Sequence, residues 1–341
     1  MRAINFLKTG MGRVITNLSC SNKRMKLTIN DHHFTTPDSW NDCDLRTALL
    51  IHHTLMQPVP RDLRGEALMH HRRIAVFLAL TGIPAELFSS APFSGATVAE
   101  RSRSEEEDDN LLYEAILHEA VITVTAPFFE VATNEDTSEE TTSIRYELTR
   151  NPYPALMYKE RGKTMKLYGP ADGVDNLTLY ELGAAFTAWE VWTEKPTDEN
   201  AATILATLYR PPKPVTPEGR ISNYGGDRRL PLHDHETTVP ARARHMAQLP
   251  LAVRGLLLFW FASCRMQIIR DNPVLFKSDK PSSGSASFGW GGLMLSLADG
   301  LVNLEPISKQ SWANAFTYMA FLETRRQEAE REAQLRKMQR R

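Results

Sequence analysis

The chain has 341 residues, a formal net charge of −1, 42% hydrophobic residues and 24% charged residues. These proportions belong to a folded globular chain and exclude a wholly disordered one, and the near-zero charge favours neither DNA nor anionic lipid as a partner. Three cysteines (Cys20, Cys43, Cys264) are too few and too scattered for a disulfide framework or a CxxC zinc site.

Residues 1–24 carry Arg2, Lys8, Arg13, Lys23 and Arg24 with no acid and no unbroken apolar run, so they do not read as a secretory signal. They read as a basic disordered extension, with Met25 as a plausible second start. Lys26–Asn30 and Ser143–Leu148 alternate weakly, as strands do. Asp42 is placed to cap a helix that carries Leu45, Leu49, His52 and Met56 on one face. A second helix is expected from about Gly65 to Thr81, stopped by Gly82 and Pro84. A third covers roughly 108–122. The stretch Val121–Val131, rich in Val, Thr, Ile and Phe, suits either a strand or the end of that helix. Loops are expected at 57–62, 90–109, 133–142, 211–240 and 277–288.

Thr178-Leu179-Tyr180-Glu181 is a capping box, flanked by Leu177 and Leu182 as a hydrophobic staple. The helix it opens carries Leu182, Phe186 and Trp189 on one buried face. Thr197 caps the next helix, which must end near Arg210 because Pro211 and Pro212 follow. Pro250 suits the first position of a helix running to about Arg270, with Arg254 and Arg265 three turns apart on one face. The most apolar run in the chain lies here. Its clean part, Leu256–Cys264, falls far short of the about 20 residues of a membrane span, so it reads as a buried helix. Trp290, Met294 and Leu297 suit a short helix closed by Gly300. Ser308 is expected to open the last helix, with Trp312, Phe316 and Met319 in register. Beyond Thr324 the chain turns almost entirely polar, with Glu and Arg spaced i, i+4.

Charge is unevenly spread. Residues 104–144 hold twelve acids and no Lys or Arg, whereas 237–270 hold five arginines and no acid.

Motifs of chemistry are weak. His32-His33, His52-His53 and His70-His71 are adjacent pairs, and each pair on a helix offers one ligand at most, because neighbours point about 100° apart. His118-Glu119 lacks the second histidine of HExxH. His233-Asp234-His235 shows no third ligand. Gly284-Ser285-Ala286-Ser287-Phe288-Gly289 is one residue too long for a nucleophile elbow. No P-loop or GxGxxG occurs. Tyr153, Tyr158, Lys159, Arg161, Lys163, Lys166 and Tyr168 interleave rings with cations, but no nucleic-acid module accompanies them. No metal, cofactor, nucleic-acid or membrane role is therefore expected.

The order of motifs is more specific. It runs Trp40, then Leu148-Thr-Arg-Asn-Pro-Tyr-Pro154, then Leu167-Tyr-Gly-Pro-Ala-Asp-Gly173, then the capped helix Asn176–Trp192. Leu205-Ala-Thr-Leu-Tyr-Arg-Pro211 follows, then the Leu249–Arg270 helix with Asn272-Pro-Val-Leu-Phe276, then Gly289-Trp-Gly-Gly-Leu-Met-Leu-Ser-Leu-Ala-Asp-Gly300. Over about residues 25–325 this order resembles uncharacterised tail-region proteins of phages and prophages, mainly of Bacteroidetes. Its last part is similar to tail assembly chaperone-like proteins. The resemblance implies a non-enzymatic protein of the phage tail pathway, acting in the bacterial host cytoplasm or the virion. Its implied partner is a tape-measure-like tail protein, with a structural tail or baseplate adaptor as the alternative role. It makes Phe186, Trp189, Trp192, Trp290, Trp312 and Phe316 the candidate partner-binding residues.

The fold expected is mainly α, a helical bundle with a small β component on the N-terminal side. Its regions are the extension 1–24, an N-terminal helical region with short strands at 25–150, a main bundle at 151–323 packed around Trp189, Trp260 and Trp290, and a charged tail at 324–341.

Overall fold

The computed structural model describes residues 15–21, 24–29, 32–82, 118–133, 140–160, 162–213, 227–232, 236–276 and 303–339. The protein is mainly α and divides into two compact units, Met1–Glu147 and Leu148–Arg341. The expected loops at 90–109 and 277–288 and the Trp290 helix lie outside the described residues.

The first unit opens with an antiparallel sheet of β1 (Ile15–Ser21), β2 (Arg24–Ile29) and β3 (His32–Pro37). Residues 15–21 are thus a paired strand, with Cys20 opposite Met25, rather than part of a disordered extension. Asp42 does not cap the first helix. It sits in a 3-10 turn, Trp40–Asp42, held by Ser39. The cap is Asp44, whose Oδ1 accepts from the Thr47 amide at 2.7 Å, and α1 runs Leu45–Leu55. The buried stripe is accordingly Ala48, Ile51, His52 and Leu55, while Leu45 and Met56 face solvent.

Helix α2 (Gly65–Thr81) ends as its sequence predicts. Gly82 takes the left-handed conformation, φ 66°, and donates to the Leu78 carbonyl. Val76 and Phe77 bury completely. Residues 118–125 are helical, a 3-10 turn follows at Ala126–Phe128, and β4 (Phe129–Thr133) pairs with β5 (Glu140–Ile144). The ambiguous stretch is therefore both elements in succession. Trp40 meets the Phe128 ring edge-on at 5.1 Å.

The second unit begins with a hairpin, β6 (Ala155–Glu160) and β7 (Lys163–Tyr168), whose turn glycine Gly162 has φ 78°. The β component is therefore not confined to the N-terminal side. The ring-and-cation segment is this hairpin, with Leu156 and Leu167 buried. Helices α3 (Leu179–Glu194) and α4 (Asp198–Leu208) follow their capping residues Thr178 and Thr197. The capping box is complete: the Thr178 hydroxyl accepts from the Glu181 amide, and Glu181 Oε2 accepts from the Thr178 amide at 3.2 Å.

Of the proline-rich segment 211–240, expected as a loop, residues 211–213, 227–232 and 236–240 are described, and they form bridges and turns; residues 214–226 and 233–235 lie outside the described residues. Residues 210–213 run beside 227–232, bridged at Pro212 and Arg229, and Tyr168 bridges Arg210. A helix unforeseen in the sequence, α5 (Val239–Ala247), starts at its end with Pro240 in the first turn. Helix α6 (Leu251–Asp271) has Pro250 one position earlier than expected, as cap. By length and composition it is long and apolar enough to cross a membrane. In the structure Leu256, Leu257, Trp260 and Phe261 are fully buried within the unit.

Ser308 does not open the last helix. It closes a short helix, Leu304–Ser308. The Gln310 carbonyl accepts from the Leu179 amide and Trp312 donates to the Leu177 carbonyl, so the chain at 310–311 is extended against the start of α3. Helix α7 (Trp312–Gln339) begins only after that pairing ends. Trp312, Phe316 and Met319 bury in register as expected, and the polar tail continues the same helix.

Candidate functional site

Helix α3 carries two contrasting ends. Toward its C-terminus an aromatic row leads from core to surface. Phe186 is buried and meets Phe261 edge-on at 6.2 Å. Trp189 meets Phe261 at 5.8 Å, and Trp192 meets Trp189 at 4.8 Å, again edge-on. Both tryptophans are half-buried, and Val191 between them is 47% exposed. The Arg265 guanidinium lies over Phe186 at 5.3 Å. Its neighbour on that face of α6, Arg254, reaches Asp198 at 3.1 Å.

The structure separates the six predicted partner-binding residues. Phe186 and Phe316 are 1% exposed and Trp312 is 9% exposed, so these three are core. Trp312 further commits its indole N–H to the Val174 carbonyl at 3.0 Å, and its ring meets Phe316 at 5.4 Å. Trp290 lies outside the described residues. Trp189 and Trp192 alone combine exposure with mutual contact among the described members. The expected core trio divides likewise: Trp260 is fully buried and donates to the Thr149 carbonyl at 2.9 Å, whereas Trp189 lies nearer the surface.

Toward the N-terminus of α3 the core is ionic. Glu181 Oε1 accepts from Arg210 Nη1 and from the Leu232 amide, while its Oε2 serves the capping box. Arg210 also donates to the Leu230 carbonyl at 2.7 Å. Asp227 takes Arg229 through Nε and Nη2 at 2.9 and 2.6 Å. Burial pushes the Asp227 carboxyl up, but the Arg229 hydrogen bond and charge overcome it and hold the carboxyl below its usual range. Two guanidiniums cap the last turn of α4: Arg242 Nε donates to the Ala206 carbonyl at 3.0 Å and Arg229 Nη1 to the Leu208 carbonyl at 3.1 Å. Cations suit this place because the carbonyls ending a helix carry its negative pole.

A neutral polar knot adjoins it. The Tyr209 hydroxyl lies 3.0 Å from Asn151 Oδ1 and 2.8 Å from the Tyr153 carbonyl. Asn151 donates to the Pro170 carbonyl at 2.7 Å. Gly169 must be glycine here: a Cβ would come within 2.6 Å of the Tyr209 ring and 2.7 Å of Asn151 Nδ2. The motifs around Asn151, Gly169 and Arg210, scattered in sequence, thus converge. Val174 is buried at φ 57°, a strained conformation for a β-branched residue, and its carbonyl accepts from Trp312 and Leu177.

Sequence reading missed this ionic cluster. Glu181 was legible only as a cap, and Asp227 and Arg229 fell inside the loop expected at 211–240. The one available signal was a run of charge flanking prolines after a helix end. Elsewhere, His70 and His118 bring their rings to 5.2 Å in the first unit. No group of three metal-ligating side chains forms among the described residues. His233 and His235 lie outside the described residues, as does the Gly284–Gly289 segment. No family model matches the chain, and comparison with curated proteins and with solved structures found no match.

Proposed function

We propose that this protein is a non-enzymatic phage tail assembly factor that binds a tape-measure-like tail protein through Trp189 and Trp192. The observation that supports this reading is the half-buried tryptophan pair, set edge-on at the end of α3 and backed by Phe261. A rigid aromatic pair on a packed base suits an apolar helix face, which lays its i, i+3, i+4 residues against such a surface. Tryptophan is also the residue most enriched where truncation costs binding most. A tape-measure-like protein is long, helical and apolar, so it needs such cover before assembly. On this reading the second unit's helices form a bundle that presents the pair, and the protein acts in the bacterial host cytoplasm with no cofactor.

The test is co-expression with the neighbouring long tail gene, followed by affinity purification. The expected result is a soluble complex that Trp192→Ala weakens about 30-fold, the equivalent of about 2 kcal/mol at a binding hot spot. Circular dichroism of the variant checks that its fold is intact. Unchanged co-purification of the variant would sink the assignment of the tryptophans. An insoluble partner, with this chain found in finished particles, would replace the assembly role by that of a structural tail or baseplate adaptor.

A further inference from the structure

Helix α7 runs on past the unit that anchors it. Its first turns bury Trp312, Phe316 and Met319, and Phe316 meets the Phe276 ring at 5.9 Å. From Thr324 to Arg336 every residue is exposed. Residues 325–339 are nonetheless composed wholly of Arg, Gln, Glu, Ala, Leu, Lys and Met, the strongest helix formers. A helix exposed on all sides gains nothing from packing, and one of this length is marginal in water by itself.

One side of this helix carries an ordered stripe. Tyr318, Phe321 and Leu335 are each more than half exposed. They stand with Arg325, Glu328 and Glu332 at successive spacings of 3, 4, 3, 4 and 3 residues. That is the spacing of a coiled-coil seam. By helical geometry the stripe lies roughly opposite the face that Phe316 and Met319 bury. Charges beside it are paired within the helix: Arg326 with Glu323 and Glu330, and Glu332 with Arg336. Arg325 and Glu328, at its centre, form no ion pair among the described residues. The Arg325 guanidinium lies over the Phe321 ring at 5.9 Å.

We propose that this stripe binds the same stripe of a second copy of the chain, antiparallel, about a two-fold axis between Arg326 and Gln327. In that register Arg325 of each copy faces Glu328 of the other, so both centrally placed charges are paired, twice by symmetry. Phe321 lies against the stem of Glu332, and Tyr318 closes against Leu335 at each end. A parallel pair would set Arg325 on Arg325 and Glu328 on Glu328, like charges at two successive layers, which costs binding. Charge complementarity therefore selects both the occupant and its direction. The overlap, residues 318–335, is roughly 25 Å long and leaves the two second units at opposite ends. The surface is independent of the tryptophan pair and of the partner proposed for it.

The experiment is sedimentation velocity of the full chain over a concentration series at low salt. A monomer–dimer equilibrium is expected, with a dissociation constant on the order of 10 μM. Salt should weaken it, because the central pairs stay close to solvent. Arg325→Glu sets a like charge against Glu328 and is expected to weaken the dimer about 30-fold. Adding Glu328→Arg to that chain reverses both partners and is expected to restore the dimer. Both positions are exposed, and circular dichroism checks that the variants keep their helix content. A chain that stays monomeric up to about 100 μM overturns the proposal. So does a dimer that Arg325→Glu leaves unchanged, or one that the double reversal fails to restore.

Discussion

The two units differ in how they hold buried ionisable groups. His52 and Cys43 of the first are buried neutral, beside one buried cation, Arg73, which lies over the Phe129 ring. His52 is 5% exposed on α1, and burial, reinforced by His53, brings its pKa down to about 4. Burial likewise pushes the Cys43 thiol up to about 12, aided by Asp44 and Asp42. The second unit buries charge and pairs it, through Glu181 with Arg210 and Asp227 with Arg229. A neutral buried group ties stability to the pH at which it would ionise. A buried pair ties stability to the presence of both partners.

Breaking the pair is the strongest test. Arg210→Met leaves Glu181 buried without its counter-ion and should cost about 3–5 kcal/mol, read by urea unfolding. Hydrogen exchange should localise the loss to residues 179–208 and leave 45–81 unchanged. A cost below about 1 kcal/mol would show that water replaces the guanidinium and that the charge is not truly enclosed.

Gly169→Ala probes the rigidity of the same core. Its Cβ overlaps the Tyr209 ring and Asn151, neither of which is a flexible chain end. The expected loss is about 3 kcal/mol, at the upper end for overpacking. A neutral outcome would mean that the knot around Tyr209 yields.

The pH response separates the units. The folded pKa of His52 lies below its unfolded value of about 6.5, so its contribution is complete above that value and is lost as pH falls toward about 4. Between pH 7 and pH 5 the first unit should lose about 2 kcal/mol. Asp227 has the depressed carboxylate pattern, so its contribution stays intact until the pH falls below about 4. Exchange measured at pH 5 should therefore rise in residues 45–81 before it rises in 179–208. The reverse order would refute the contrast.

Thr178→Ala is the mildest test. It removes the hydroxyl that caps α3 and leaves Glu181 bound to Arg210, for an expected cost of about 1 kcal/mol. A loss several times larger would mean that the cap also positions the carboxylate for the buried pair.

Much of the local structure was legible. The Thr178 box, the Thr197 cap, the Gly82 stop and the proline stop after α4 are each decided within a few residues, so their physics is present in the local sequence. The mainly α class follows from the number of such signals. The misreadings share one cause. Asp42 and Asp44 are equally good caps in isolation, and the choice falls to the 3-10 turn that Ser39 and Trp40 build around Asp42. Ser308 reads as a cap, yet the last helix waits for Trp312 because residues 310–311 hydrogen-bond to the start of α3.

The site divides along the same line. Helical periodicity placed Phe186 and Trp189 on one face but could not say how far that face runs into solvent. Burial of Phe186 and exposure of Trp192 depend on where α6 brings Phe261. Caps and breakers act over three or four residues, so the limits of α2, α3 and α4 are written in the local sequence. Tertiary packing alone makes Glu181 serve both a cap and Arg210, and brings Arg229 and Arg242 to one helix end. Those contacts join residues 21 to 36 positions apart, and no local propensity encodes them.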